Sequence, residues 1–228
     1  MNHLAHFLLA GTEDEWRLGA LLGDFRKGPI ATPYPDLLSA SIMLHRRIDA
    51  FCDRHPLTRQ LIEHFPPALR RLGPILLDLG RDHFLSRHFT CFSPQPLANH
   101  AADIYALLER EQARLPAEAA RFARLLAQHD LLCRYLDPAA VGATAARIIQ
   151  RRLGPHQPVQ QLERFWLAHY DQIGENFREF FPLLYDFAAI ERERLRQAVI
   201  PPLPATHSEQ IDRCSPGATG CKPVLSMA

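Results

Sequence analysis

The sequence predicts an all-α fold, a single helical domain over residues 1–200 followed by a disordered tail. Three observations carry that reading. Leu, Ala, Arg, Glu and Gln, all good helix formers, dominate the chain. Apolar residues recur every three or four positions, while the alternation of a half-buried strand is nearly absent. Prolines fall where helices should begin, at or near the one position that tolerates a missing N–H.

The elements follow in order. A helix over 3–10 opens the chain, with Asn2, His3 and His6 crowded at its start. An amphipathic helix over 13–25 carries Leu18, Leu21 and Leu22 and ends beside Asp24. Pro35 opens 35–54, Pro56 opens 57–65 and Pro66 opens 67–88. Pro94 precedes 96–114, and Pro116 begins 116–134. Pro138 begins 138–153 and Pro158 begins 158–178, after which a last helix runs over 178–199. The 19 prolines therefore mark many short helices and not a disordered chain. Residues 201–228 differ, with Pro201, Pro202, Pro204, Pro216 and Pro223 among Ser, Thr and Gly and no apolar period, which predicts disorder. No repeat of 20–50 residues is visible.

Composition excludes several classes. The chain has 228 residues and a net charge of +1, which speaks against a strongly basic nucleic-acid binder but not against a local basic patch. No apolar run is long enough for a membrane span, and the start does not read as a signal peptide. The five cysteines (Cys52, Cys91, Cys133, Cys214, Cys221) are odd in number and form no C-x-x-C pair, as expected of a reducing cytoplasm. P-loop, dinucleotide-binding and nucleophile-elbow motifs are absent, as are the E-x-x-H pairs of a di-iron bundle.

Among 12 histidines, phase along the helices selects a few. In 35–54, Leu38, Ser41, Ile42, His45, Asp49 and Cys52 share a core-facing stripe, so His45 and Asp49 lie one turn apart where apolar residues are expected. In the next long helix Ile75, Asp78, Leu79, Asp82, His83 and Ser86 share another. Buried carboxylates must be paired or bound to a cation. A divalent ion takes imidazole and carboxylate together, and with no thiolate among the candidates Mn²⁺ or Mg²⁺ is favoured over Fe or Zn²⁺. Such an ion acidifies water and polarises a phosphoryl oxygen, while Arg46, Arg47 and Arg87, adjacent in sequence, could neutralise phosphate charge. Phosphoester hydrolysis is the natural chemistry.

Four motifs, Asn2-His3-Leu4-Ala5-His6, Leu21-Leu22-Gly23-Asp24-Phe25, His45-Arg46-Arg47-Ile48-Asp49 and Asp82-His83-Phe84-Leu85-Ser86-Arg87-His88, resemble those of the acyl carrier protein phosphodiesterases. Ala168-His169-Tyr170-Asp171 and Phe180-Phe181-Pro182 match more weakly, and the likeness runs over about residues 1–198. The resemblance implies an all-helical fold of the HD-phosphohydrolase kind, activated by Mn²⁺. It implies hydrolysis of the phosphodiester joining 4′-phosphopantetheine to a serine of holo-acyl carrier protein. The sequence departs from the family at Gly19-Ala20 and Gly23, where Gly-Asn and Ala are more usual.

On that basis Asp24, His45, Asp82 and His83 are the expected metal ligands. Asp78 and Asp49 are alternates, or carboxylates that orient the imidazoles. His6 is the expected general acid or orienting group, and Arg46 or Arg47 would hold a phosphoryl oxygen. His88 is a further candidate to meet substrate. A small acidic protein partner calls for a local basic face, with Arg147, Arg151 and Arg152 as one candidate cluster and Arg70 with Arg71 as another. No nucleic-acid or membrane partner is expected. The rival readings are an HD-type phosphohydrolase of a nucleotide or small phosphodiester, and a non-catalytic carrier-protein-binding module.

Overall fold

A computed structural model describes residues 2–199. The expected tail, 201–228, lies outside them. Among the described residues the fold is all-α, with no strand beyond a single bridge between Tyr34 and Val199. The helices are α1 (His3–Leu9), α2 (Asp14–Leu22), α3 (Leu37–Arg54), α4 (Pro56–Glu63), α5 (Gly73–Arg87) and α6 (Leu97–Arg110). They continue with α7 (Ala117–Gln128), α8 (Leu131–Arg134), α9 (Pro138–Leu153), α10 (Val159–Ala168) and α11 (Tyr170–Gln197). Buried apolar side chains from every one of them join a single core cluster.

Prolines punctuate the chain much as expected. Pro56 and Pro138 stand at the first turn of α4 and α9, and Pro116 and Pro158 cap α7 and α10. Three boundaries differ. The helix expected from 67 begins at Gly73, because Pro74 supplies the first-turn proline and 66–72 form turns. The helix expected over 116–134 breaks at Asp130, whose φ of 43° is left-handed. The last long helix starts at Tyr170, where the His169 backbone leaves the helical region, and runs through Pro182 without stopping.

Two packing features place the site. α5 is buried along most of its length and packs on α1, α9 and α11. α2 lies close against α3. A Cβ at Gly19 would fall 2.1 Å from Ser41 Oγ, and the Ser41 hydroxyl donates to the Trp16 carbonyl at 2.6 Å. Only glycine allows the two backbones this approach.

Candidate metal centre

α1 is short and the Asn2 side chain does not cap it, so its first N–H groups need an outside acceptor. Asp82 supplies it from α5. Its carboxylate accepts from Leu4 N–H at 2.8 Å and Ala5 N–H at 3.1 Å, with the side chain fully buried. This pins α1 to the core helix and sets the direction of His3 and His6.

His45 reaches the same place from α3. Its ring fills the space beside Gly23, where a Cβ would lie 2.2 Å from Cγ of the imidazole. Nδ1 lies 2.8 Å from the Ala20 carbonyl. A carbonyl only accepts, so Nδ1 carries a proton, and Nε2 is the ring atom turned to the site. The His6 ring stacks on it, with centroids 3.7 Å apart and 9° between planes. Both rings aim Nε2 at one carboxylate, His6 at Asp49 Oδ1 (3.1 Å) and His45 at Asp49 Oδ2 (3.3 Å). Asp24 borders the pair, 3.9 Å from His45 Nε2, and its other oxygen is 3.7 Å from His3 Nδ1.

The electrostatics follow from burial and contact. Burial, then the neighbouring His45 ring, drives the His6 pKa down to about 3 against the pull of Asp49. Burial also lowers His3, with Asp24 opposing. Burial acts to raise Asp49, but hydrogen bonds to His45 and His6 outweigh it and hold the carboxyl well below the usual carboxylate range. A neutral His6 ring thus faces an ionised carboxylate.

This arrangement fits a cation. His45 Nε2 lies 3.3 Å from Asp49 Oδ2, while its Nδ1 already carries a proton for the Ala20 carbonyl. Only a proton or a metal ion between them makes that contact favourable. His6, His45 and Asp49 each offer a ligand atom, all within 4.8 Å of one another, and among the described residues they are the group able to share an ion. Two imidazoles and a carboxylate suit a divalent cation of the first transition row. Facing ionised Asp49, the neutral His6 ring carries its proton on Nε2, and Nδ1, buried without a partner, can take that proton when Nε2 turns to an ion.

Of the residues singled out by sequence, the fold brings His6, Asp24, His45 and Asp49 together. It gives the others different partners. Asp82 caps α1, while His83 sits between the Tyr135 carbonyl (Nδ1, 2.6 Å) and the Tyr170 hydroxyl (Nε2, 2.7 Å). Both side chains are thus engaged away from the His6–His45–Asp49 cluster. Asp78, half-buried on α5, lies in the electrostatic reach of Arg81 and Asp53. Arg46 donates to the carbonyls of Gly28 (2.8 Å) and Arg26 (2.7 Å), and so fixes the loop after Asp24. Arg47 pairs with Glu191, and His88 lies beside the Phe177 ring. His3, crowded with His6 in sequence, joins the centre but was not among the expected ligands. Tyr170, which holds both His83 and Arg87, carries only the weaker of the sequence matches.

The fold and centre define an all-helical protein with a possible His/Asp metal site. The family described as acyl carrier protein phosphodiesterase matches residues 1–184, and this chain belongs to it. Proteins named acyl carrier protein phosphodiesterase in Salmonella dublin, Salmonella newport and Salmonella enteritidis are each 37% identical over 196 residues. These spans cover 83% of this chain and 98% of each relative. No solved structure matches the chain closely enough to count as a relative.

Proposed function

We propose that the chain is a phosphodiesterase that hydrolyses the bond between 4′-phosphopantetheine and the serine of holo-acyl carrier protein, releasing apo-carrier protein. The observation that carries this reading is the stacked His6–His45 pair converging on ionised Asp49, in a chain of this family. His6, His45 and Asp49 would hold a divalent ion, Mn²⁺ by the family resemblance, with Asp24 at its edge. Such an ion, when bound, supplies a Lewis acid for the phosphoryl group and acidifies water. Helix-borne imidazoles and carboxylates of this kind are the donor chemistry of HD-type hydrolases.

The chain's own groups have separate tasks. The Ala20 carbonyl keeps the His45 proton on Nδ1, so Nε2 stays a ligand atom. Asp49 supplies the negative charge that neutral imidazoles lack. Burial lowers the His6 pKa to about 3, which favours orienting and ligating over giving up a proton. The side chains of Asp24 and Asp49 are 45% and 41% exposed, and that of His3 23%. Asp24 and His3 would take the proton of attacking water and return one to the serine oxygen. Arg46 positions the loop that follows Asp24. A role in acyl-chain metabolism and a cytoplasmic location go with that substrate. The structure has no helix long and apolar enough to cross a membrane among the described residues, and Cys52, Cys91 and Cys133 are free thiols.

Incubation with holo-acyl carrier protein and Mn²⁺, followed by mass spectrometry of the carrier, tests the reading. The expected result is loss of the 4′-phosphopantetheine mass, abolished by chelator. An unchanged carrier overturns it. Cleavage of nucleotide or small diesters instead supports the HD-type alternative, and a metal-free protein that binds the carrier unaltered supports a binding module.

A further inference from the structure

The motif around His83 takes no part in the metal centre, yet it builds something. His83 Nδ1 donates to the Tyr135 carbonyl, so Nε2 accepts from the Tyr170 hydroxyl at 2.7 Å. The Tyr170 oxygen in turn accepts from Arg87 at 2.7 Å. A fully buried histidine therefore orients a phenol, and the phenol holds an exposed guanidinium whose other donors meet no partner among the described residues. Holding a long side chain in place before binding removes much of the entropy cost of using it.

Arg87 is not alone. Arg134 on α8 and Arg147 on α9 both lie within electrostatic reach of Tyr135, as Arg87 and His88 do of His83. All three arginines are exposed, and among the described residues none has a carboxylate partner. Arg47, Arg110, Arg114, Arg194 and Arg196 are all paired. Asp137 is the acidic group nearby, and its side chain caps α9 through the Ala139 N–H. Leu136, two residues past Arg134, and Leu167, three before Tyr170, are 51% and 60% exposed. The face also adjoins the centre, since Asn2, next to His3, reaches Tyr135. By contrast Arg70 and Arg71 are engaged by the Phe65 and Glu63 carbonyls and by Gln157.

We propose that the face bearing Arg87, Arg134 and Arg147 docks an acidic protein, with Arg87 as its preorganised anchor. Unpaired positive charge beside exposed leucines fits a small acidic helical surface. The proposal rests on the carrier-protein reading for the identity of that partner.

The test measures binding of immobilised holo-acyl carrier protein by the full chain at low and high salt, separately from turnover. Arg87→Glu and the double variant Arg134→Glu/Arg147→Glu are each expected to weaken binding roughly tenfold or more and to flatten the salt dependence. Tyr170→Phe keeps every charge but frees Arg87, and should weaken binding severalfold. Arg59→Glu, exposed on α4, serves as the control and should leave affinity unchanged. Thermal midpoints of all variants verify folding. Wild-type affinity in both charge reversals overturns the proposal. So does a wild type that fails to bind the carrier, or that prefers an RNA oligonucleotide. A wild type that binds the carrier through this face but releases no prosthetic group sinks the phosphodiesterase reading and leaves the docking face standing.

Discussion

Asp82 offers the sharpest test of how the site is built, because sequence and structure assign it different work. As a metal ligand it would matter only when the ion is bound. As the acceptor for Leu4 and Ala5 N–H groups it matters to the fold itself. Asp82→Ala leaves two donors in a fully buried setting, and each unsatisfied buried donor costs about 1–3 kcal/mol. Removing a carboxylate that burial has pushed up to about 7 offsets part of this loss. The net expectation is a loss of about 2–4 kcal/mol, or about 5–15 °C of thermal midpoint at about 2–4 °C per kcal/mol for a chain of this size. Helix melts followed by circular dichroism, in chelator and in excess Mn²⁺, make the measurement. The loss should be fully present in chelator, and larger in Mn²⁺ because α1, which Asp82 caps, also carries His6. Asp82→Asn keeps one acceptor and should lose less. The Asp82 pKa is raised on folding, so its contribution is fully present below about pH 4 and fades as pH rises through about 7. The deficit of Asp82→Asn relative to wild type should therefore shrink between pH 5 and pH 8. An Asp82→Ala protein as stable as wild type in chelator, yet no longer stabilised by Mn²⁺, would refute the capping role.

Three further outcomes are expected. Mn²⁺ at about a hundred times its Kd should stabilise wild type by about 2.7 kcal/mol, and Asp49→Asn should abolish that gain; a wild-type midpoint indifferent to the ion rejects the centre. His100 is buried, its Nε2 has no partner, and burial lowers its pKa to about 4. The unfolded chain then binds the extra proton, so stability holds above about pH 6.5 and falls by about 3 kcal/mol as pH drops through about 4. Urea titrations should show a flatter acid limb in His100→Leu, and an unchanged limb counts against the assignment. Gly19→Ala, whose Cβ would meet Ser41 Oγ at 2.1 Å and the Ser41 backbone at 2.9 Å, should cost about 2–4 kcal/mol by forcing α2 from α3; a change within about 0.5 kcal/mol means the two helices are not so close.

Helical periodicity made the all-α fold and most proline-opened helices legible, because those signals are local. It also put buried His45 and half-buried Asp49 on one face, since i and i+4 residues share a face whatever packs against it. What the pattern could not carry is the partner. The stripe on α5 showed that Asp82 and His83 are buried, and a metal is one reason for burying such groups. The other reasons are set across the chain: the open N-terminus of α1 lies 78 residues from Asp82, and Tyr170 lies 87 residues from His83. His3 illustrates the reverse case. Its place beside Asp24 depends on the direction of α1, which Asp82 fixes, so one buried carboxylate decides which histidines reach the centre. A site of this kind is specified at two levels: ligands by their own helices, and the meeting of those helices by capping and glycine contacts such as Asp82 and Gly19. Substitutions at the second level should therefore disturb metal binding and stability together, whereas Asp49→Asn should remove the first with little loss of the second.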